Sequence, residues 1–190
     1  MAKYPDENGK PTAFDIPTRA ADPNEIFFFG GPTPTNCYAF ALNLYGAPSL
    51  NPGFSTGHEI DGGHHSSPDF PTYCAHDGVE LHSAQTLAGV EPFVDGQYYL
   101  AALFGAGIDM HWARIDSRYQ WSEKMPGLPA HYANFQGIEA GTAPHHVDKK
   151  GAQKNRGMWF VAYYRVYPAK VALAYAAFNK RIKKNKCVIL

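Results

Sequence analysis

The chain has little that would staple it, carry it across a membrane or leave it disordered. Only three cysteines, Cys37, Cys74 and Cys187, occur among its 190 residues. They are too few and too scattered for a disulfide framework, so the sequence predicts a reducing compartment and thiols free to react. No run reaches the roughly 18 apolar residues of a spanning helix. The opening stretch MAKYPDENGK has neither the apolar run of a secretory signal nor the Arg and Ser bias of a transit peptide. No Gly-rich phosphate loop follows a strand, so nucleotide binding is not expected. Charge is sparse, at 18% of residues, and sums to zero, which argues against a nucleic-acid partner. Acid is missing after Asp148. Residues 1–148 hold all seventeen acidic residues with six basic ones, a net of −11, and 149–190 hold eleven basic residues, a net of +11. The chain is an acidic body with a basic tail.

At 45% hydrophobic residues, a chain of this length can bury a core of its own. Residues 1–32 read as an N-terminal arm, 33–168 as one domain and 169–190 as a basic amphipathic helix with a short tail. A helix is expected from Cys37 to about Tyr45, capped by Thr35 or Asn36 and stopped by Gly46 and Pro48. Residues 46–68 read as a long Gly, Pro, His and Ser loop, and Pro71–Ala84 as one or two short helices. Strands follow at Tyr98–Phe104, Ile108–Asp116, Tyr119–Met125 and Met158–Tyr167. Helix first, then an antiparallel sheet, then a terminal helix is an α+β order, not the alternating βαβ of a nucleotide-binding sheet.

Cys37 is the strongest candidate nucleophile. At the first turn of a helix, unpaired backbone N–H groups and the positive dipole end favour thiolate over thiol. A thiolate needs a base or counter-ion, and His111 lies on the strand Asp109-Met110-His111-Trp112-Ala113-Arg114. The base needs an orienting group in turn. Across a hairpin turned at Ser117-Arg118, the neighbour of His111 is Glu123, in Trp121-Ser122-Glu123-Lys124. Helix cysteine, strand histidine and an acceptor on the next strand form the constellation of papain-like enzymes. The Cys37 N–H and a side chain near Thr35 or Asn36 are expected to form the oxyanion hole. The Trp and Tyr surplus is expected to be core, with Trp112 and Trp121 as candidate walls of a substrate groove. The alternative for Cys37 is a small buried hydrophobe on an amphipathic helix, and for Glu123 a solvent-facing residue on an edge strand.

Asn36-Cys37-Tyr38-Ala39-Phe40-Ala41-Leu42-Asn43, then Asp109-Met110-His111-Trp112-Ala113-Arg114, then Trp121-Ser122-Glu123-Lys124 with Pro126-Gly127, resembles a branch of the NlpC/P60 and CHAP-like cysteine peptidases. Their pattern is N-C-Y-A-Y-A-L, D-x-H-F/W-Y-R and W-S-H-K-x-G. The resemblance covers roughly 33–148, with 46–96 matching poorly. It implies a papain-like fold with Cys37 as nucleophile and His111 as base. The family usually has a histidine where this chain has Glu123. A carboxylate orients an imidazole at least as well, and Asp109, Asp116 and Asn134 are the other candidates for the third position.

Cys187-Val188-Ile189-Leu190 has the C-a-a-X form read by prenyltransferases, and a final Leu favours geranylgeranyl. Lys180, Arg181, Lys183, Lys184 and Lys186 lie just upstream. One lipid chain binds membranes marginally, whereas one chain plus a polybasic patch anchors on an anionic leaflet. Val171, Ala174, Tyr175, Phe178 and Ile182 recur at helical spacing through Ala169–Lys186, so one face is expected to pack on the body and the cations to point outward. The alternative is a solvated Lys-rich helix whose final cysteine is incidental.

His58, Glu59, Asp61, His64 and His65, with His145, His146 and Asp148, match no metal-ligand spacing, so no metal or other cofactor is expected. Cys74, beside His76 and Asp77, imitates a dyad but lacks a following helix to expose it. The expectation is therefore a cysteine hydrolase cleaving an amide bond through Cys37, His111 and Glu123. Joining a mostly bacterial catalytic fold to a eukaryotic lipidation signal implies an effector secreted by a bacterium and prenylated by a host prenyltransferase. It would be held on the cytoplasmic face of a host membrane, where it meets a host protein or peptide-amide substrate. The rival readings are a peptidoglycan endopeptidase or amidase with an incidental tail, and a catalytically inactive, membrane-tethered interaction module.

Overall fold

A computed structural model describes residues 35–44, 47–60, 64–82, 93–94, 97–115, 121–125, 128, 130–132, 154–155 and 157–187. The expected arm, the Asp61, Asp116, Asn134, His145, His146 and Asp148 positions, and Val188-Ile189-Leu190 lie outside them.

The architecture is α+β. Strands β1 (Val79–His82), β2 (Phe93–Val94), β3 (Tyr98–Ala106), β4 (Asp109–Ile115), β5 (Trp121–Glu123), β6 (His131–Tyr132), β7 (Lys154–Asn155) and β8 (Met158–Val166) form one antiparallel sheet. Its order is β1-β8-β3-β4-β5-β6, with β2 beside β3 and β7 beside β8. Three of these are two-residue pairings, so β1, β8, β3, β4 and β5 are the body of the sheet. Helices α1 (Cys37–Ala41) and α2 (Phe70–His76) precede the long strands and α3 (Pro168–Cys187) follows β8.

Helix α1 is five residues long rather than nine. Asn36 caps it, its side-chain oxygen accepting the Ala39 N–H at 3.0 Å. The chain leaves the helix at Asn43, whose φ of 58° is left-handed, a conformation that asparagine tolerates better than most residues. The Asn43 N–H then takes the Phe40 carbonyl at 2.9 Å, so no further turn is added. After α2, a strand replaces the second short helix expected before Ala84. Gly78, at φ +85°, turns the chain into β1, and a Cβ there would meet Lys170 Cβ and the Val171 nitrogen of α3 at 2.7 Å. Val79–His82 then pair with Val166–Tyr163 of β8.

Both faces of the sheet are buried in aromatics. Trp112 packs against Tyr38 at 5.2 Å, Phe70 at 6.3 Å and Tyr164 at 5.0 Å, tying α1 and α2 to β4 and β8. On the alternate face Trp121 stacks on Tyr163 and Phe160 meets Phe104. Both tryptophans are fully buried, so they belong to the core, as expected of the Trp and Tyr surplus, rather than to the wall of a groove. Tyr175 and Phe178 of α3 pack edge-on against Phe54. Among the described residues no helix is long and apolar enough to cross a membrane.

Candidate active site

Cys37 is the first residue of α1 and His111 the third of β4. The Cys37 thiol is near enough to the imidazole to raise its basicity, and the ring's Nε2 lies 2.9 Å from Glu123 Oε2. The β4–β5 register explains the second contact. Ala113 pairs with Glu123, so His111, two residues earlier, stands diagonally across on the same face, within reach of a long side chain. The neighbour relation expected from a hairpin is thus real, with the pair diagonal rather than directly opposite.

Cys37 retains 9% of its exposure, whereas His111 and Glu123 retain 2% each. Cys37 is therefore the least covered of the three. Burial alone would lower the basicity of His111. Its hydrogen bonds and charge attraction to Cys37 and Glu123 outweigh that, and its pKa is pushed up to about 9. Beside the Glu123 carboxylate the protonated ring is favoured. That charge state suits a thiolate–imidazolium pair with a carboxylate behind the ring.

Asp109 begins β4 at an exposed position, while Glu123 already holds the ring nitrogen that an orienting residue would take. Thr35 and Asn36, expected near an oxyanion hole, are committed elsewhere. The Thr35 hydroxyl donates to the Ala47 carbonyl at 3.0 Å. The Asn36 amide donates to the Leu50 carbonyl at 2.7 Å, and its oxygen accepts from Leu50 N–H at 3.3 Å. Both therefore fix the entrance of α1 onto the 47–50 segment. The Cys37 backbone N–H remains the expected donor.

Two residues of the quoted motifs, given no role from sequence, support the site from either end of α1. Arg114, fully buried, donates from Nη1 to the Phe40 carbonyl at 3.0 Å and to Asn43 Oδ1 at 2.7 Å, with its guanidinium 4.0 Å from the Phe40 ring centre. It closes the C-terminal end of the helix. Lys124, just past β5 and fully buried, donates to the Thr35 carbonyl at 2.9 Å and the Met125 carbonyl at 3.1 Å. Sequence marked their places, Arg114 three residues after His111 and Lys124 directly after Glu123, but not the distant carbonyls they bind.

Cys74 is buried and its thiol is pushed well above the ordinary range, first by burial and then by the charge of Asp77. Asp77 is not a base for it. Its carboxylate accepts the Tyr38 hydroxyl at 3.0 Å and the Gly53 and Ser55 N–H groups at 2.6 and 3.1 Å, joining α1 to the 53–55 turn. Among the described residues no group of three or more His, Cys, Asp or Glu converges as metal ligands. A cavity of about 340 Å³ is lined by Thr56, His58, Asp69, Thr72, Tyr73 and His76, none of them on α1, β4 or β5.

The cations of the tail divide. Lys180, Lys183 and Lys184 are exposed on α3. Arg181 turns inward: its guanidinium donates to the Ser55 carbonyl at 2.7 Å and to that of Phe54 at 2.5 Å. This corrects its assignment to an outward patch, because a planar fork satisfies two loop carbonyls at once. The side chains of Lys186 and Cys187 lie outside the described residues.

No protein family, no curated protein and no solved structure matches this chain.

Proposed function

We propose that the protein is a cysteine hydrolase of papain-like type that cleaves an amide bond through a thioester. The observation that carries this reading is the buried His111, its Nε2 2.9 Å from Glu123 and its basicity raised by the neighbouring Cys37. The Cys37 thiolate attacks the carbonyl carbon, and the oxyanion meets the Cys37 backbone N–H. His111, held by Glu123, gives its proton to the departing amine as the tetrahedral intermediate collapses. The neutral imidazole then removes a proton from water, whose oxygen attacks the thioester carbon and releases the acid and the Cys37 sulfur. Glutamine deamidation follows the same steps, and acyl transfer replaces the water by another nucleophile. A short cysteine-bearing helix on an antiparallel sheet that carries the histidine supports the fold type.

The charge split supports a place for this chemistry. Exposed lysines on α3 would draw the tail to an anionic leaflet while the acidic body stays off it. Where Leu190 is the carboxyl terminus, Cys187 is the residue that a host prenyltransferase would alkylate, fitting an effector secreted by a bacterium and working on a host protein beside a host membrane.

The test is covalent capture. Incubated with peptide-amide substrates, the protein should gain the mass of one acyl group on Cys37, and Cys37→Ala should gain none and release no amine. Turnover that survives Cys37→Ala would overturn the reading.

A further inference from the structure

Helix α1 is too short to hold a thiolate by its dipole. The macrodipole sums over aligned peptides, and five residues supply barely more than one turn. Glu123 worsens the balance, since with Cys37 as thiolate and His111 as imidazolium the buried carboxylate leaves the three groups with a net charge of −1. Charge buried without compensation is strongly unfavourable. Lys124 stands where compensation is needed. It follows Glu123 directly, its ammonium is fully buried, and it is bonded to the carbonyl of Thr35, two residues before the nucleophile.

We propose that Lys124 is a positioning residue of the Cys37 site, its buried ammonium holding the entrance of α1 against the end of β5 and balancing the charge that Glu123 adds beside the thiolate. The inference rests on the reading of Cys37 as a reactive thiolate and deepens it. Burial draws the Lys124 ammonium below its ordinary range, and the negative charge of Cys37 draws it back up. Among the described residues, the charged groups placed around Cys37 are His111 from β4, Lys124 from the end of β5, and Glu123 behind the imidazole. In this arrangement the site is neutral when fully ionised. The bonds to Thr35 and Met125 also fix where the sulfur sits.

The experiment follows alkylation of Cys37 by iodoacetamide against pH in the full chain, resolved by peptide mass spectrometry, with no substrate present. Lys124→Met removes charge and donor, Lys124→Gln keeps a donor without charge, and Lys124→Arg keeps both. An opposite charge at this range shifts a titration by about one unit or more. The thiolate of the Met and Gln variants should therefore form about one pH unit higher, and alkylation at pH 6 should slow about tenfold, with Lys124→Arg close to the unaltered protein. If the Met variant fails to fold, the Gln and Arg pair gives the same contrast. Equal profiles for Gln, Arg and the unaltered protein would overturn the role of Lys124 while leaving Cys37 a reactive thiolate. An ordinary thiol profile in the unaltered protein would overturn the reading of the site and this inference with it.

Discussion

At the scale of single residues, the site depends on which charge each buried group holds. His111 titrates at about 9 in the folded protein and near 6.5 in an unfolded chain. Its contribution to stability is therefore complete below about pH 6.5 and is lost as the pH rises through its folded value. Glu123→Gln removes one of the two anions that raise it. In urea titrations at pH 6.5 and 9, the unaltered protein should lose about 1–2 kcal/mol more than the variant over that interval. Equal losses would show that Glu123 does not hold the imidazolium. The same substitution should move the alkaline limit of kcat/KM to lower pH, because the imidazolium that protonates the leaving amine is then lost at lower pH. The meeting of His111 and Glu123 was legible in sequence, since a ring and a carboxylate at hairpin spacing have few other ways to meet. Lys124 and Arg114 could not be assigned roles, because a cation in an apolar strand reads as a surface residue until its carbonyl partners, some 70 to 90 positions away, are placed.

At the scale of elements, helix α1 is held by its surroundings far more than by its own hydrogen bonds. A five-residue helix is unstable alone, and here Asn36 fixes one end and Arg114 the other. Arg114→Met removes the buried guanidinium bonded to the Phe40 carbonyl and the Asn43 amide oxygen, a loss of about 2–4 kcal/mol. Its urea midpoint should fall accordingly, and Cys37 should alkylate with the profile of a mobile thiol. Asn36→Ala removes the cap and the tie to Leu50, at about 1–2 kcal/mol. The helix end at Asn43 was not legible in sequence, because Leu44 and Tyr45 extend an apolar pattern that only the reach of Arg114 interrupts. Strand β1 was missed for a related reason. Val79–His82 is too short to show a period, and its partner β8 lies more than eighty residues later. The long strands β3, β4 and β8 and helix α3 fall within two residues of their expected limits, since sustained apolar runs between turn residues leave little choice.

At the scale of the whole molecule, the proposed reading has the acidic body and basic tail orient the protein on an anionic surface. Lys180 and Lys184 face outward on α3, whereas Arg181 is fastened to the 54–55 carbonyls. These positions should therefore separate two properties that sequence alone merges. Replacing Lys180 and Lys184 by Gln should weaken binding to phosphatidylserine vesicles by about 2 kcal/mol, or ~30-fold at low salt, with little change in stability. Raising the ionic strength should remove the same component. Arg181→Gln should instead lower the unfolding midpoint by freeing the helix from the loop, with a smaller effect on vesicle binding. In eukaryotic cells Cys187→Ser should shift a prenylated protein from membranes to cytosol, and unchanged partition would contradict lipidation.

Site-resolved alkylation with iodoacetamide near pH 6, in the unaltered protein and in His111→Ala, bears most directly on the claim that Cys37 is an activated nucleophile. Cys37 should react at least about tenfold faster than Cys74, whose thiol burial and Asp77 hold in the neutral form, and the excess should vanish in His111→Ala. Equal rates at the two cysteines, or a Cys37 rate indifferent to the loss of His111, would contradict it.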